Sequence, residues 1–93
     1  MAKLLLNDKE YSFDTYITIG RSSKTDMRIP DIKLSRYHCE IIKDDDDYII
    51  IDLHSQNGTK VNDHFITETT LNDKDKILIG RTEILFKNNS TKI

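Results

Sequence analysis

Apolar residues in this chain fall into short runs, which are separated every few residues by clusters of Asn, Asp, Gly and Thr. No window shows the 3.6-residue apolar repeat of an amphipathic helix. Many short strands with turns about every 8–12 residues are typical of a β-sandwich or a β-barrel. Strand-like runs occupy residues 3–6, 11–13, 16–19, 39–43, 48–52, 60–62, 64–66, 77–79 and 82–86, with brief apolar stretches at 27–29 and at Leu71.

The same pattern makes three local predictions. Residues 48–51 are continuously apolar, which predicts a central strand with both faces covered. Gly20 ends the run at 16–19, where glycine permits a backbone conformation that other residues resist and lets Arg21 project from the strand end. Ninety-three residues allow a single domain, which we expect over residues 1–87, followed by a short frayed tail over residues 88–93.

Charge is close to balance overall but is distributed unevenly along the chain. Fourteen Lys and Arg oppose 16 Asp and Glu, which gives a net charge of −2. From Gly20 to His38, five cations oppose two anions, so this segment carries +3 and the remainder carries −5. The overall balance argues against nucleic acid or an anionic membrane as the main partner. A basic segment on an otherwise acidic domain indicates one anion-binding site.

Cysteine usage and hydropathy indicate the compartment. Cys39 is the only cysteine, so no intrachain disulfide can form, and a reducing environment is the simplest interpretation. No apolar segment is long enough to span a membrane. We therefore expect a cytoplasmic protein, and we expect it to be a monomer.

Metal binding and catalysis are both disfavoured by the residue pattern. The four aspartates at 44–47 lack the spaced acceptors, the glycine and the distal glutamate of a calcium-binding loop, so a solvated hairpin tip is preferred. Cys39 and the three histidines match no common zinc spacing. Ser35 lies three residues before His38, but no Gly-x-Ser-x-Gly motif is present and proximity alone does not make a catalytic triad. We expect no enzyme activity, no cofactor and no metal.

The candidate anion-binding residues follow strand-like runs. A phosphorylated side chain brings nearly two negative charges and three strong acceptor oxygens. The planar guanidinium of Arg21 can engage two of those oxygens at once, and the Ser35 hydroxyl can donate to another. Lys33 and Arg36, on either side of Ser35 in the sequence, add charge or main-chain donors.

A third segment, Asn57-Gly58-Thr59, reads as a tight turn whatever else it does, because Asn-Gly is a strong β-turn signal. The Asn57 amide also carries a donor and an acceptor, so it can pair with both polar groups of a peptide backbone. His38 is interpreted as a residue that bridges loops by hydrogen bonds and shapes the site without touching phosphate.

Gly20-Arg21, Ser35-Arg36-x-His38 and Asp52-Leu53-x-Ser55-x-Asn57-Gly58-Thr59 together closely resemble the forkhead-associated (FHA) domain family, over about residues 16–86. The resemblance implies an all-β sandwich of two twisted, mostly antiparallel sheets, with about 11 short strands and the binding loops at one end. It also implies a non-catalytic module that binds phosphothreonine peptides. The roles implied are phosphate binding by Arg21, Ser35, Arg36 and Lys33, peptide-backbone binding by Asn57 and Gln56, and shaping of the site by Gly20, His38, Gly58 and Thr59.

An interaction domain of the same fold that does not need phosphorylation is the alternative hypothesis. Such a domain would bind its partner through a sheet face or a sheet edge. Loss of binding when the partner is dephosphorylated distinguishes the first hypothesis from the second.

Overall fold

The structure, a computed structural model, describes residues 1–88, and every regular element within them is a β-strand. None of these residues forms a helix long and apolar enough to cross a membrane. In chain order the strands are β1 (Ala2–Leu6), β2 (Lys9–Phe13), β3 (Tyr16–Gly20), β4 (Met27–Arg28), β5 (Cys39–Asp44), β6 (Asp47–Asp52), β7 (Thr59–Val61), β8 (His64–Ile66), β9 (Glu68–Leu71), β10 (Lys76–Ile79) and β11 (Thr82–Asn88).

Two sheets form the predicted sandwich. The six-stranded sheet has the order β2-β1-β11-β10-β7-β8, and the five-stranded sheet has the order β4-β3-β5-β6-β9. Strand pairs are antiparallel except β3 and β4, which run parallel where Ile19 lies beside Met27. Asn7 and Asp45 adopt positive φ angles of 54° in the tight β1–β2 and β5–β6 turns, a conformation that Asn and Asp tolerate better than most residues.

The core lies between the sheets because every second residue of the strands points inward. Ile19, Ile41, Ile50 and Phe86 are all fully buried, as expected of side chains that alternate between the two faces of a strand. The Tyr48 ring packs against Phe86 at a centroid distance of 5.7 Å. Burying one such side chain contributes about 1.5–3 kcal/mol, so this layer fixes the strand ends that carry the loops.

The prediction that residues 48–51 form a strand covered on both faces is wrong. Tyr48 and Ile50 point into the core, whereas Ile49 and Ile51 point outward and are only partly buried. Nothing within residues 1–88 packs over that outer surface. The apolar run reflects the β-propensity of isoleucine in addition to core packing, and propensity alone does not show whether a face is covered.

The ends of the pattern also differ from the sequence expectation. Residues 68–71 form strand β9, because the β-branched Thr69 and Thr70 pair with Ile50 and Ile49 of β6. Strand β11 extends to Asn88, one residue beyond the expected domain limit, where Asn88 lies opposite Ala2. Residues 89–93, the rest of the expected tail, lie outside the described residues.

Four connections meet at one end of the sandwich. The antiparallel order brings together the β3–β4, β4–β5 and β6–β7 loops and the β10–β11 turn. Hydrogen bonds between residues far apart in sequence join them, such as Gln56 to Ser35 and Arg81 to Asp31. All of the candidate site residues lie in or beside these four connections.

Candidate functional site

Arg21 is held against the β4–β5 loop through both its main chain and its side chain. Its N–H donates to the Ser35 carbonyl at 3.1 Å, and its Nε donates to the Leu34 carbonyl at 3.1 Å. The side chain is otherwise exposed, and no group within residues 1–88 accepts a hydrogen bond from its terminal nitrogens. The guanidinium is therefore oriented, while its terminal donors remain available for an anion.

Gly20 is required for a reason other than the predicted one. Its φ lies outside the positive region that Gly58 and Gly80 occupy. A Cβ at position 20 would lie 2.0 Å from the carbonyl oxygen of Arg36 and 2.8 Å from its carbonyl carbon. The missing side chain lets the β4–β5 loop cross the end of β3 in direct contact, which brings Ser35 beside Arg21.

Ser35 links two of the loops through its side-chain oxygen. The Ser35 Oγ accepts a hydrogen bond from the Gln56 N–H at 3.0 Å. The hydroxyl proton is not used in that contact, because Oγ is the acceptor. A half-buried hydroxyl fixed in this way can still donate to a ligand next to Arg21.

His38 is fully buried between the β4–β5 and β6–β7 loops. Its Nδ1 accepts a hydrogen bond from the Ser35 N–H at 3.1 Å, and its Nε2 lies 2.9 Å from the Gly58 carbonyl oxygen. A main-chain N–H can only donate and a carbonyl can only accept, so these partners select the neutral tautomer with the proton on Nε2. The ring thus holds Ser35 and Gly58 in fixed relation.

Asn57 is exposed but already makes one contact within the protein. Its Nδ2 donates to the Lys33 carbonyl at 2.7 Å across the two loops. The second N–H of the amide and its Oδ1 remain available. One N–H thus positions the side chain, and the remaining N–H and Oδ1 are the donor and acceptor that the predicted pairing with a peptide backbone needs.

Asp52 anchors the β6–β7 loop from inside. Its carboxylate accepts hydrogen bonds from the hydroxyl and N–H of Ser55 and from the hydroxyl of the fully buried Thr59. Burial acts to raise the pKa of Asp52, yet the hydrogen bonds from Ser55 and Thr59 outweigh it and hold the pKa below its ordinary value of 3.8. The Ser55 Oγ in turn accepts the Gly58 N–H at 3.0 Å, which ties the turn to the sheet.

Asp31 joins the β4–β5 loop to the β10–β11 turn, a role that no local sequence pattern predicted. Its carboxylate accepts from the Arg81 N–H at 2.8 Å, the Thr82 hydroxyl at 2.9 Å and the Lys33 N–H at 2.9 Å. The N–H groups of Arg81 and Lys33 hold the pKa of Asp31 below its ordinary value of 3.8. A Cβ at Gly80 would lie 2.8 Å from this carboxylate. The glycine in the β10–β11 turn is therefore the one feature of the sequence that could have indicated a close contact at this position.

Both aspartates should make the stability of the domain depend on acid pH. Their pKa values are lower in the folded state, so their contribution is complete above about pH 4 and is lost as the pH falls through the folded pKa values. We expect the free energy of unfolding, measured with urea between pH 7 and pH 2, to decline below about pH 4. The Asp31→Asn/Asp52→Asn variant should be less stable at neutral pH and should show a flatter acid decline.

Asp46→Asn is the matched control, because Asp46 lies in the exposed β5–β6 turn with no side-chain hydrogen bond within residues 1–88. Its acid profile should follow that of the wild type. An unchanged slope in the Asp31/Asp52 double variant would contradict the assignment of acid sensitivity to these two carboxylates.

The cations near the site have no close acidic partners. Within residues 1–88 the only ion pair closer than 4.0 Å joins Lys3 to Glu10. Lys33 and Arg36 are exposed, as is Gln56, and their side chains contribute no hydrogen bond within the described residues. No side-chain hydrogen bond or ion pair within residues 1–88 therefore fixes these three side chains.

A cavity of about 230 Å³ lies next to Asn57, on the side of the six-stranded sheet. The exposed Phe65 ring packs on Gly58, where a Cβ would lie 2.8 Å from the ring, and the Lys60 Nζ lies 4.7 Å from the ring centre. The cavity is lined by Lys33, Asn57, Gly58, Lys60, Phe65, Leu78, Gly80 and Arg81.

Other groups considered from the sequence do not join the site. Burial raises the pKa of the Cys39 thiol to about 12, so it stays protonated and acts as a core residue. No group of three or more His, Cys, Asp or Glu within residues 1–88 is arranged to hold a metal ion. Of the four aspartates at 44–47, Asp45 and Asp46 form the exposed β5–β6 turn, and Asp44 and Asp47 pair with each other beside it.

Known proteins resemble this chain both in fold and in sequence. The chain matches the model of the FHA domain over residues 17–80. It is 41% identical over 69 residues to the FHA domain-containing protein FhaA of Mycobacterium tuberculosis, a match that covers 74% of this chain and 13% of FhaA. An FHA domain solved in a study of phosphothreonine-dependent interactions has a TM-score of 0.90 and 34% identity, covering 97% of this chain and 98% of that one.

Mycobacterium tuberculosis EmbR in complex with a low-affinity phosphopeptide has a TM-score of 0.91 and 30% identity, covering 99% of this chain and 25% of EmbR. A two-sheet sandwich with a tethered arginine, serine and asparagine in its end loops defines a protein-interaction module. The chain belongs to the FHA domain family. It spans no more than about half the length of the curated relatives it matches, with 13% and 49% for the first two.

Proposed function

We propose that this chain is a non-catalytic module that recognises phosphothreonine in partner proteins. The observation that carries the proposal is the state of Arg21. Its Nε donates to the Leu34 carbonyl, and its terminal nitrogens have no hydrogen-bond partner within residues 1–88. The Ser35 hydroxyl lies in the same loop as Leu34, next along the chain. A doubly charged phosphate can receive bidentate hydrogen bonds from the guanidinium and a further one from the hydroxyl.

Neighbouring residues complete the proposed binding mode. Lys33 and Arg36 add charge beside the phosphate, and Asn57, with Gln56 next to it, holds the peptide backbone through its remaining N–H and Oδ1. The loops are kept in place by buried or tightly packed residues beneath the phosphate site, namely Gly20, His38, Gly58 and Thr59. Preference for threonine over serine comes from burial of one methyl group, which is worth about 0.8 kcal/mol. The switch is then the charge that a kinase adds to the partner.

We also propose the extent of the domain along the chain and the compartment in which it works. We place one FHA domain at residues 1–87 and assign it to the cytoplasm, where a buried, protonated thiol such as Cys39 stays reduced. The absence of a nucleophile paired with a base in the sequence supports a binding role without catalysis.

Calorimetry with degenerate peptide pools tests the proposal. A phosphothreonine pool, a phosphoserine pool and an unphosphorylated pool are titrated separately into the folded protein. We expect micromolar binding to the phosphothreonine pool, weaker binding to phosphoserine, and none to the unphosphorylated pool. Equal binding to all three pools, or to none, would favour the alternative of an interaction domain that does not need phosphorylation.

The cavity beside Asn57 leads to a prediction about the peptide sequence. Lys33, Lys60 and Arg81 line it, and Phe65 and Leu78 supply apolar wall. We expect a glutamate at one position near the phosphothreonine to bind more tightly than a lysine there. An exposed ion pair is worth about 0.2–1 kcal/mol, so two such contacts predict a difference of a few fold. Peptide arrays scanned at each flanking position measure it.

Lys60→Gln and Lys9→Gln separate a local effect from a general effect of charge. Lys60 lines the cavity, whereas Lys9 lies on β2 at the opposite edge of the six-stranded sheet. The glutamate preference should shrink in the Lys60 variant and persist in the Lys9 variant. Equal loss in both would mean that long-range charge, and not the cavity, selects the peptide.

A further inference from the structure

The outer surface of the five-stranded sheet is apolar at its centre and acidic around it. Cross-strand neighbours place Ile42 between Tyr16 and Ile49, and Ile51 between Glu40 and Glu68. All three isoleucines are partly exposed, and Tyr16 is 58% exposed. We call this surface the acidic face. Five carboxylates on it (Glu40, Asp44, Asp47, Glu68 and Asp26, which accepts from the Thr18 hydroxyl) oppose one cation, Arg28, which gives −4.

The outer surface of the six-stranded sheet has the opposite charge. Leu5 lies opposite Leu85, and Leu78 lies beside Lys60, so partly exposed leucines alternate with lysines. We call this surface the lysine face. Its four lysines (Lys3, Lys60, Lys76 and Lys87) oppose Glu10 and Glu83, which gives +2. Neither face is covered by any other part of residues 1–88.

The charges decide which faces can meet. Two acidic faces brought together would set carboxylates against carboxylates, and two lysine faces would set lysines against lysines. An acidic face against a lysine face buries apolar surface on both sides and surrounds it with opposite charges. We propose that the acidic face of one copy of this chain docks on the lysine face of a second copy.

This contact is heterologous, because it joins two different surfaces of the same molecule. The faces lie on opposite sides of the sandwich, so each docked copy keeps one face free, and association continues as a stack unless the rotation closes a ring. Five strands about 4.8 Å apart and six residues of about 3.3 Å outline roughly 500 Å² per face. A pair therefore buries roughly 1,000 Å², the size of a weak interface.

The stack has a consequence that rests on the proposed function. The Arg21 and Ser35 side of the site lies at the end of the sandwich and stays uncovered when faces meet, whereas the cavity wall formed by Lys60 and Leu78 belongs to the lysine face and is covered there. Stacked copies would present several phosphate sites side by side, which favours a partner phosphorylated at more than one threonine through effective concentration. The self-association itself does not depend on phosphate binding, and Arg21→Ala should leave it unchanged.

Sedimentation velocity of the unmodified chain gives the first test. We expect the weight-average sedimentation coefficient to rise with protein concentration between about 10 μM and 1 mM, as a weak interface predicts. The rise should shrink in 1 M NaCl, where the screening length is about 3 Å, because opposite charges drive the pairing. A chain that sediments as a monomer throughout, or that associates more strongly in salt, would overturn the proposal.

Ile42→Thr/Ile49→Thr removes apolar surface from the acidic face while keeping β-branched residues in the strands. Ile32→Thr is the matched control, since Ile32 is 88% exposed in the β4–β5 loop, away from both faces. The double variant should lose the concentration dependence and the control should keep it. The same loss in both variants, or in neither, would count against the acidic face.

Charge reversal identifies the pairing. One variant carries Glu40→Lys, Asp44→Lys and Glu68→Lys, and the other carries Lys76→Glu and Lys87→Glu. Each alone has two faces of like charge and should remain a monomer, whereas an equimolar mixture should associate because every contact is again complementary. Circular dichroism and peptide binding verify that each variant is folded. Association of a single variant, or a mixture of folded variants that stays monomeric, would refute docking between these faces.

Discussion

Replacement of Arg21 by alanine is expected to weaken binding of phosphothreonine peptides by one to two decades. Each charge-assisted hydrogen bond to phosphate contributes about 1.5–3 kcal/mol, and about 1.4 kcal/mol corresponds to a tenfold change in dissociation constant. The fold should be affected little, because the side chain makes one hydrogen bond, from Nε to the Leu34 carbonyl. Titration calorimetry with the phosphothreonine pool measures the affinity, and urea unfolding measures the stability.

Two further variants separate charge from geometry. Arg21→Lys keeps a positive charge but has neither the fork for two oxygens nor the Nε that donates to Leu34, so it should recover only part of the affinity. Arg28→Ala removes an exposed arginine from the neighbouring strand β4, outside the site connections. If Arg28→Ala weakened the binding as much as Arg21→Ala does, general attraction by the basic segment would explain the binding, and a specific phosphate site would not.

The strands and the loop residues could be predicted because their signals are local. Short apolar runs punctuated by Asn, Asp and Gly mark strands whatever the partner strand is. That the loops carrying Arg21, Ser35 and Asn57 meet at one end of a sandwich was implied by the resemblance to the FHA family, because no local pattern tells which strands are neighbours in a sheet.

Other features depend on residues distant in sequence and carry no local mark. Asp31 connects to Arg81 and Thr82, about half the chain away, and reads in isolation as a loop residue. The half-covered strand β6 looks like a fully covered one, because isoleucine suits both environments. Gly20 was predicted to be needed for its backbone conformation, but the obstacle to a side chain there is the main chain of Arg36 and not the φ of residue 20.

That distinction predicts which glycine is harder to replace. Gly20→Ala places a methyl group 2.0 Å from the carbonyl oxygen of Arg36, which also accepts the Ser22 N–H at 3.1 Å. Main chain held at both ends cannot move aside without displacing Ser35 and His38. Overpacking usually costs 1–3 kcal/mol, and a clash with backbone this close should reach about 3 kcal/mol or more. Urea unfolding monitored by circular dichroism measures the loss, and calorimetry should show weakened phosphopeptide binding.

Gly58→Ala should be the milder change, although Gly58 has the unusual backbone angle. A residue with a Cβ at φ +85° is strained by about 1–2 kcal/mol. The new methyl group would meet only the Phe65 ring, at 2.8 Å, and that ring is 68% exposed and can rotate away. The loss of stability in Gly58→Ala/Phe65→Ala should therefore not exceed the sum of the losses in the two single variants. If Gly58→Ala destabilised the domain more than Gly20→Ala, backbone conformation would dominate over close packing at this end of the sandwich.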